Sequence, residues 1–160
     1  MLSRKLFVLF EQILIISICQ YIFCTFFNFK IIPSFYLIYL LSLSFDGNIE
    51  LALFLSFILG LIHDIFTNMI LGSTSIKFLL IVYFSSFFVV KSIKSKCGLI
   101  FIFSFLYFVM FSFTRINESL WDGRTILKYS ILFSFYNFLI AIVVEIVFRE
   151  MKKKWKEKIF

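Results

Sequence analysis

Ile49-Glu50-Leu51-Ala52-Leu53-Phe54-Leu55-Ser56-Phe57-Ile58-Leu59-Gly60-Leu61-Ile62-His63-Asp64-Ile65-Phe66 reads as a helix with no wet side. Between Leu51 and Ile62 there is no charged residue, and the apolar side chains fall on every face of a 3.6-residue turn. The stretch approaches the about 20 residues that a helix needs to cross a hydrocarbon core of roughly 30 Å. A barrel strand would alternate apolar and polar residues over about ten positions, and this stretch does not.

The rest of the chain repeats the pattern. Apolar blocks bounded by charge, Pro or Gly run over Leu6 to Phe27, Ile31 to Phe45, Ile49 to Phe66, Ile76 to Val90, Leu99 to Thr114 and Ile126 to Phe148. Of the 160 residues, 62% are hydrophobic and 16% charged, with 26 phenylalanines and a single proline; mean hydropathy is +1.03. Soluble, disordered and collagen-like classes are excluded by that balance. The expected fold is all-α: a polytopic integral membrane bundle of about six transmembrane helices over residues 1–148, followed by a basic cytoplasmic tail, 149–160. The second and fourth blocks are short for a full span, so they either extend into their flanks or sit buried against longer neighbours.

Charge placement gives an orientation. With the N-terminus in the cytoplasm, eleven of the 16 Lys and Arg fall inside: Arg4 and Lys5, then Lys91, Lys94 and Lys96, then Arg149, Lys152, Lys153, Lys154, Lys156 and Lys158. The five outside are Lys30, Lys77, Arg115, Arg124 and Lys128. The bias favours both termini in the cytoplasm and an even number of helices. The net charge of +7 therefore reads as topology and lipid contact, not nucleic-acid binding, which needs a basic face on a folded domain. The tail, where cations alternate with Met151, Trp155, Ile159 and Phe160, is expected along the inner leaflet through Lys152, Lys153, Lys154 and Lys156. Docking of a partner there is the alternative. Trp121 fits the interfacial aromatic belt. Met1 to Lys5 and the apolar run after them resemble a signal peptide, but no small-residue cleavage site follows, so a retained first helix is expected.

Polar groups inside the blocks are the candidate functional residues. Asp64 lies about 22 Å along the core counted from Ile49, a depth at which an acid normally faces the bundle interior with a partner. It either reaches water or pairs with Lys77 at the helix end, or belongs to a ligand or partner site. Gly60, four residues earlier on the same face, admits a close neighbour. His63 points about 100° away from Asp64, so the two need further ligands to hold a metal. A hydrogen-bonded interfacial histidine is the simpler reading. Glu11, Gln12 and Glu145 share a depth near the cytoplasmic face; Glu145 stands four residues before Arg149, an ion-pair spacing, and a pair of carboxylates is the alternative acid–base reading. Gln20 and Asn137 suit interhelical hydrogen bonds. Cys19, Cys24 and Cys97 have no disulfide or metal spacing. No metal or cofactor is expected, and no hydrolase, metalloprotease or phosphate-loop motif is present.

Gly60-Leu61-x-x-Asp64 with Leu71-Gly72 following, in a short membrane chain with a basic C-terminal tail, resembles the bacterial rod shape-determining MreD family. Ile65 to Ile70 departs from that family's pattern, which carries small residues and proline there. The resemblance implies a non-enzymatic scaffold subunit of the cell-wall elongation complex in the bacterial cytoplasmic membrane. It would act with an MreC-like protein to link MreB filaments to peptidoglycan synthases, with Gly60, Asp64 and Gly72 as its marked positions. The alternative is a substrate-binding subunit of an energy-coupling-factor importer, also a small six-helix protein, which needs convergent polar groups in a pocket open to the outside.

Overall fold

Phe35–Phe45, the shortest helix, lies at the centre. In the computed structural model, which describes residues 2–26, 33–67, 70–90, 92–113 and 123–159, the helices are α1 (Leu2–Phe26), α2 (Phe35–Phe45), α3 (Ile49–Thr67), α4 (Ser73–Ser85), α5 (Ile93–Phe113) and α6 (Gly123–Ile159). No strand occurs among the described residues. Helix α2 touches all five of the others. Its sequence is apolar all round, which suits a helix with neighbours on every side, and Leu37, Ile38, Leu40, Leu41 and Phe45 are fully buried.

Local chemistry fixes the limits of α2. Ser34 is its N-cap, with extended backbone and a hydroxyl that accepts from the Leu37 N–H at 3.2 Å. At the other end Gly47 takes φ +85°, the Gly47 N–H donates to the Ser44 carbonyl at 3.0 Å and the Asn48 N–H to the Leu43 carbonyl at 3.2 Å. This paired pattern is a Schellman stop, in which only glycine takes the left-handed position without strain. Asn48 then starts α3 by accepting from the Ala52 N–H through its carbonyl, at 2.9 Å.

Hydrogen bonds along α2 set the directions of its neighbours. Gln20 of α1 meets Phe35 and Gln12 meets Tyr39, so α1 runs antiparallel to α2. Asn137 of α6 meets Ser34 and Glu145 meets Ser42. Both pairs step by eight residues, so α6 runs parallel to α2 and in register with it.

The outer helices bury one stripe each. In α3 this is Ala52, Leu55, Ser56, Leu59, Gly60 and Asp64; in α6 it is Ser130, Phe133, Ser134, Asn137, Ala141 and Glu145. The remaining faces are covered with exposed Phe, Ile and Leu, among them Phe54, Phe57, Ile65 and Phe66 on α3. Among the described residues three segments, Ile49–Thr67, Ile93–Met110 and Gly123–Ile146, are long and apolar enough to cross a membrane. Helices α2 and α4, of 11 and 13 residues, measure only about 17 and 20 Å; α2 sits buried against longer neighbours, whereas α4 extends into its N-terminal flank and leaves Ile76, Tyr83 and Phe84 exposed.

Several limits differ from the apolar blocks. Helix α4 starts at Ser73, not Ile76, and ends at Ser85, not Val90, because a cap from another helix, described below, allows a polar first turn. Helix α5 starts at Ile93, so Lys94 and Lys96 are helical residues and not loop cations. Helix α6 is continuous for 37 residues to Ile159, about 55 Å. The expected tail is therefore the last turns of α6, with no separate segment starting at Arg149. Lys30, Lys91, Arg115 and Trp121 lie outside the described residues, as do the side chains of Cys24, Arg149, Lys152, Lys153, Lys154 and Lys156.

Candidate functional site

The marked residues of the α3–α4 stretch meet at one junction. Asp64, three residues before the end of α3, is fully buried. Its carboxylate accepts from the Gly72 N–H at 2.8 Å and from the Thr74 N–H, which is 3.2 Å from both oxygens. The first N–H groups of any helix lack partners within it. The N-cap of α4, Gly72, has no side chain to supply one. Asp64 supplies it from the neighbouring helix, and its negative charge sits at the positive end of the α4 dipole. Gly72 has φ +90° and ψ −12°, the left-handed turn that brings its own N–H and that of Thr74 onto the same carboxylate.

Gly60 makes this approach possible. A β-carbon built there would stand 2.3 Å from Ser75 Cα and 2.5 Å from Ser75 N, backbone atoms that no rotamer change can move aside. Ser75 in turn donates its hydroxyl to the Phe57 carbonyl at 3.0 Å. Gly60, Asp64, Gly72, Thr74 and Ser75 thus form a clamp between two helix backbones.

Two polar side chains at the clamp retain unused hydrogen-bonding capacity. Thr74 Oγ1 and His63 Nδ1 are buried and lack a hydrogen-bond partner among the described residues. The His63 ring meets Tyr36 and Phe78 edge-on, with 6.2 Å between centroids in each case, and lies within electrostatic range of Asp64 and Lys77. The expected hydrogen-bonded histidine is thus replaced, at Nδ1, by one packed among aromatic rings. Lys77 is buried, at 6% exposure, on the inward face of α4. Asp64 does not reach water; backbone N–H groups occupy its carboxylate.

A second polar cluster lies at the opposite ends of these helices. Lys96 of α5 is 5% exposed and Glu145 of α6 is 4% exposed. The Lys96 ammonium forms an ion pair with Asp46, just after α2, and stands 3.8 Å from Glu145. Ser42 donates its hydroxyl to the same Glu145 carboxylate. Glu145 is therefore explained by helices far from it in sequence, and not by the expected spacing to Arg149 alone. Glu11 is exposed on α1, a helix that makes no contact with α6 among the described residues. The structure thus separates the two carboxylates of the acid–base reading.

Gln20 and Asn137 do bond between helices, and their role is specific. Gln20 Oε1 accepts from the Phe35 N–H at 2.9 Å and Asn137 Oδ1 from the Ser34 N–H at 3.0 Å, while Asn137 Nδ2 donates to Ser104 of α5 at 3.1 Å. They cap the start of α2. Sequence reasoning missed Asp46, Lys96, Ser42, Thr74 and Ser75. The signal for Lys96 was its place on the stripe Lys96, Cys97, Ile100, Phe103, Ser104 and Tyr107, all buried at helical spacing. Cys19 and Cys97 are free thiols, and no cluster of three metal-binding side chains occurs among the described residues.

No family model matches the chain, and neither a curated protein nor a solved structure matches it.

Proposed function

We propose that the chain is a multi-pass scaffold of the bacterial cytoplasmic membrane, with both termini inside, that serves the cell-wall elongation complex in the manner of MreD-like proteins. One observation carries the reading. Gly60, Asp64 and Gly72, the positions on which the resemblance rests, converge on one junction, and their chemistry is spent in holding α3 to α4. A group whose donors and acceptors are satisfied internally shapes a surface and does not turn over a substrate. Function then resides in the outer faces of the helices, which present large apolar side chains to lipid or to other membrane helices. The partners are an MreC-like protein and, through it, the wall synthases; anionic lipid meets the cationic end of α6. No catalysis is assigned to the chain.

Helix α1 runs antiparallel and α6 parallel to α2, so the start of α1 and the end of α6 lie on one side, which supports an even number of membrane passes with α2 and α4 as short members. A second reading, the substrate-binding subunit of an importer, draws on the two unpartnered atoms His63 Nδ1 and Thr74 Oγ1 as a start of a polar pocket. Purification of the tagged protein in mild detergent, followed by mass spectrometry, separates the two. Recovery of MreC-like and wall-synthesis proteins supports the scaffold. A stoichiometric vitamin or an ATPase module overturns it.

A further inference from the structure

Helix α1 is the least enclosed of the six: among the described residues it packs against α2 alone. Its inward face is polar at intervals, with Gln12 accepting from the Tyr39 hydroxyl, Ile16 buried, and Gln20 capping α2. The opposite face carries Glu11, Leu14, Ile15, Ile18 and Ile22, all exposed. On a 3.6-residue turn the last four lie within about 60° of Glu11. A single carboxylate thus sits in an apolar stripe about three turns long. The positions three and four residues away are Phe7, Val8, Leu14 and Ile15, so the helix offers Glu11 no cation of its own at ion-pair spacing. The nearest cations in α1, Arg4 and Lys5, mark the membrane boundary, which puts Glu11 about 9 Å inside it.

From this face we infer a docking site for a transmembrane helix of another protein that carries a Lys or Arg about two turns in from its cytoplasmic end. The inference rests on the membrane-scaffold reading and adds to it the surface and the chemistry of the partner. An ionisable group at membrane depth is normally found against a partner charge or a polar cavity, and among the described side chains the outward face of α1 supplies neither. Charge decides between the possible occupants. A second copy using this face would form a two-fold interface that sets Glu11 against Glu11. Anionic headgroups bear the same sign as the carboxylate. A cationic side chain on a helix with small or aliphatic neighbours complements both the charge and the stripe.

The test co-expresses the full chain, carrying a photoreactive residue at position 18, with a designed single-pass Leu/Ala helix of fixed orientation. One host helix has a Lys two turns from its cytoplasmic end; the other has Leu there. The Lys host is expected to crosslink about tenfold more, the size of an interhelical polar contact in model peptides. Glu11→Gln is expected to abolish the preference, and Glu11→Lys to transfer it to a host bearing Glu. Equal yields from the two hosts, an unaltered preference in Glu11→Gln, or a crosslink mainly between two copies of the chain overturns the inference. Those results leave the scaffold proposal standing, since it is judged by co-purification. Failure of the chain to fractionate with membranes removes both.

Discussion

Helices α2 and α4 face the same difficulty and meet it differently. Each is short, and each starts inside the protein, where unpaired N–H groups have no water to bind. The start of α2 is capped by neutral groups: its own Ser34, Gln20 from α1 and Asn137 from α6. A single carboxylate from the preceding helix, Asp64, caps the start of α4. The neutral cap ties together segments 15 and 103 residues apart, and so fixes the order of helices around the centre. The anionic cap spans eight to ten residues, and so fixes one hairpin. One is a device of topology and the other of local geometry.

Removing the anionic cap outright gives the largest expected effect. Asp64→Ala strands the N–H groups of Gly72 and Thr74 in a buried place, each at about 1–3 kcal/mol, for a total of about 4 kcal/mol in unfolding of the purified protein in detergent. A loss below about 1 kcal/mol would mean that α4 does not depend on Asp64. Gly60→Ala comes next, at about 3 kcal/mol, the upper part of the overpacking range, because the added methyl meets the Ser75 backbone as well as its hydroxyl, and the backbone cannot turn aside. Photocrosslinking or cysteine pairing between α3 and α4 would show the hairpin opened while α5 and α6 stay paired. For the neutral cap, Asn137→Ala leaves the Ser34 N–H and the Ser104 hydroxyl each short of one partner, at about 2 kcal/mol. Its signature differs from the Gly60 variant: protection of α2 amides against hydrogen exchange falls while the α3–α4 hairpin is retained. If both variants loosen the same amides, the two caps are one cooperative unit and the contrast fails.

The two devices were unequally legible in the sequence. Apolar blocks bounded by charge locate six helices, because apolar side chains on every face leave a composition that no other element shares. Gly60, Asp64 and Gly72 are visible as well, since an acid and two glycines in an apolar run call for a reason. Their partners are not visible: the acceptor role of Asp64 depends on backbone N–H groups, which every residue but proline has. Lys77 is the sequence's obvious counter-charge for Asp64, yet the carboxylate is held by Gly72 and Thr74. Lys96 and Glu145 are separated by almost 50 residues, and only the packing of α5 on α6 brings them near each other. Spacing rules reach one or two turns along a helix; the pairings that matter here cross between helices, where sequence carries no ruler. The central place of α2 is intermediate, for its short length and all-round apolarity hint at enclosure without saying by what.

The smallest effect asks whether the charge on Asp64 does more than hydrogen bonding. Asp64→Asn keeps one acceptor oxygen at the same reach, enough for the Gly72 N–H at 2.8 Å, and gives up the second oxygen shared by Thr74 together with the charge at the α4 N-terminus. The charge–dipole part is about 0.3–1 kcal/mol at an exposed site and up to about 2 kcal/mol in partly buried geometry, so a loss of about 1 kcal/mol is expected, with membrane insertion intact because an amide is cheaper to bury than a carboxylate. A cost equal to that of Asp64→Ala would mean that the fold demands an anion at the start of α4. No cost at all would make the anionic cap equivalent to the Gln20 and Asn137 amides at the start of α2. In that case any requirement for the acid in partner assembly, read from recovery of MreC-like proteins with Asp64→Asn, would have to come from outside the chain, since the fold itself would be indifferent to the charge.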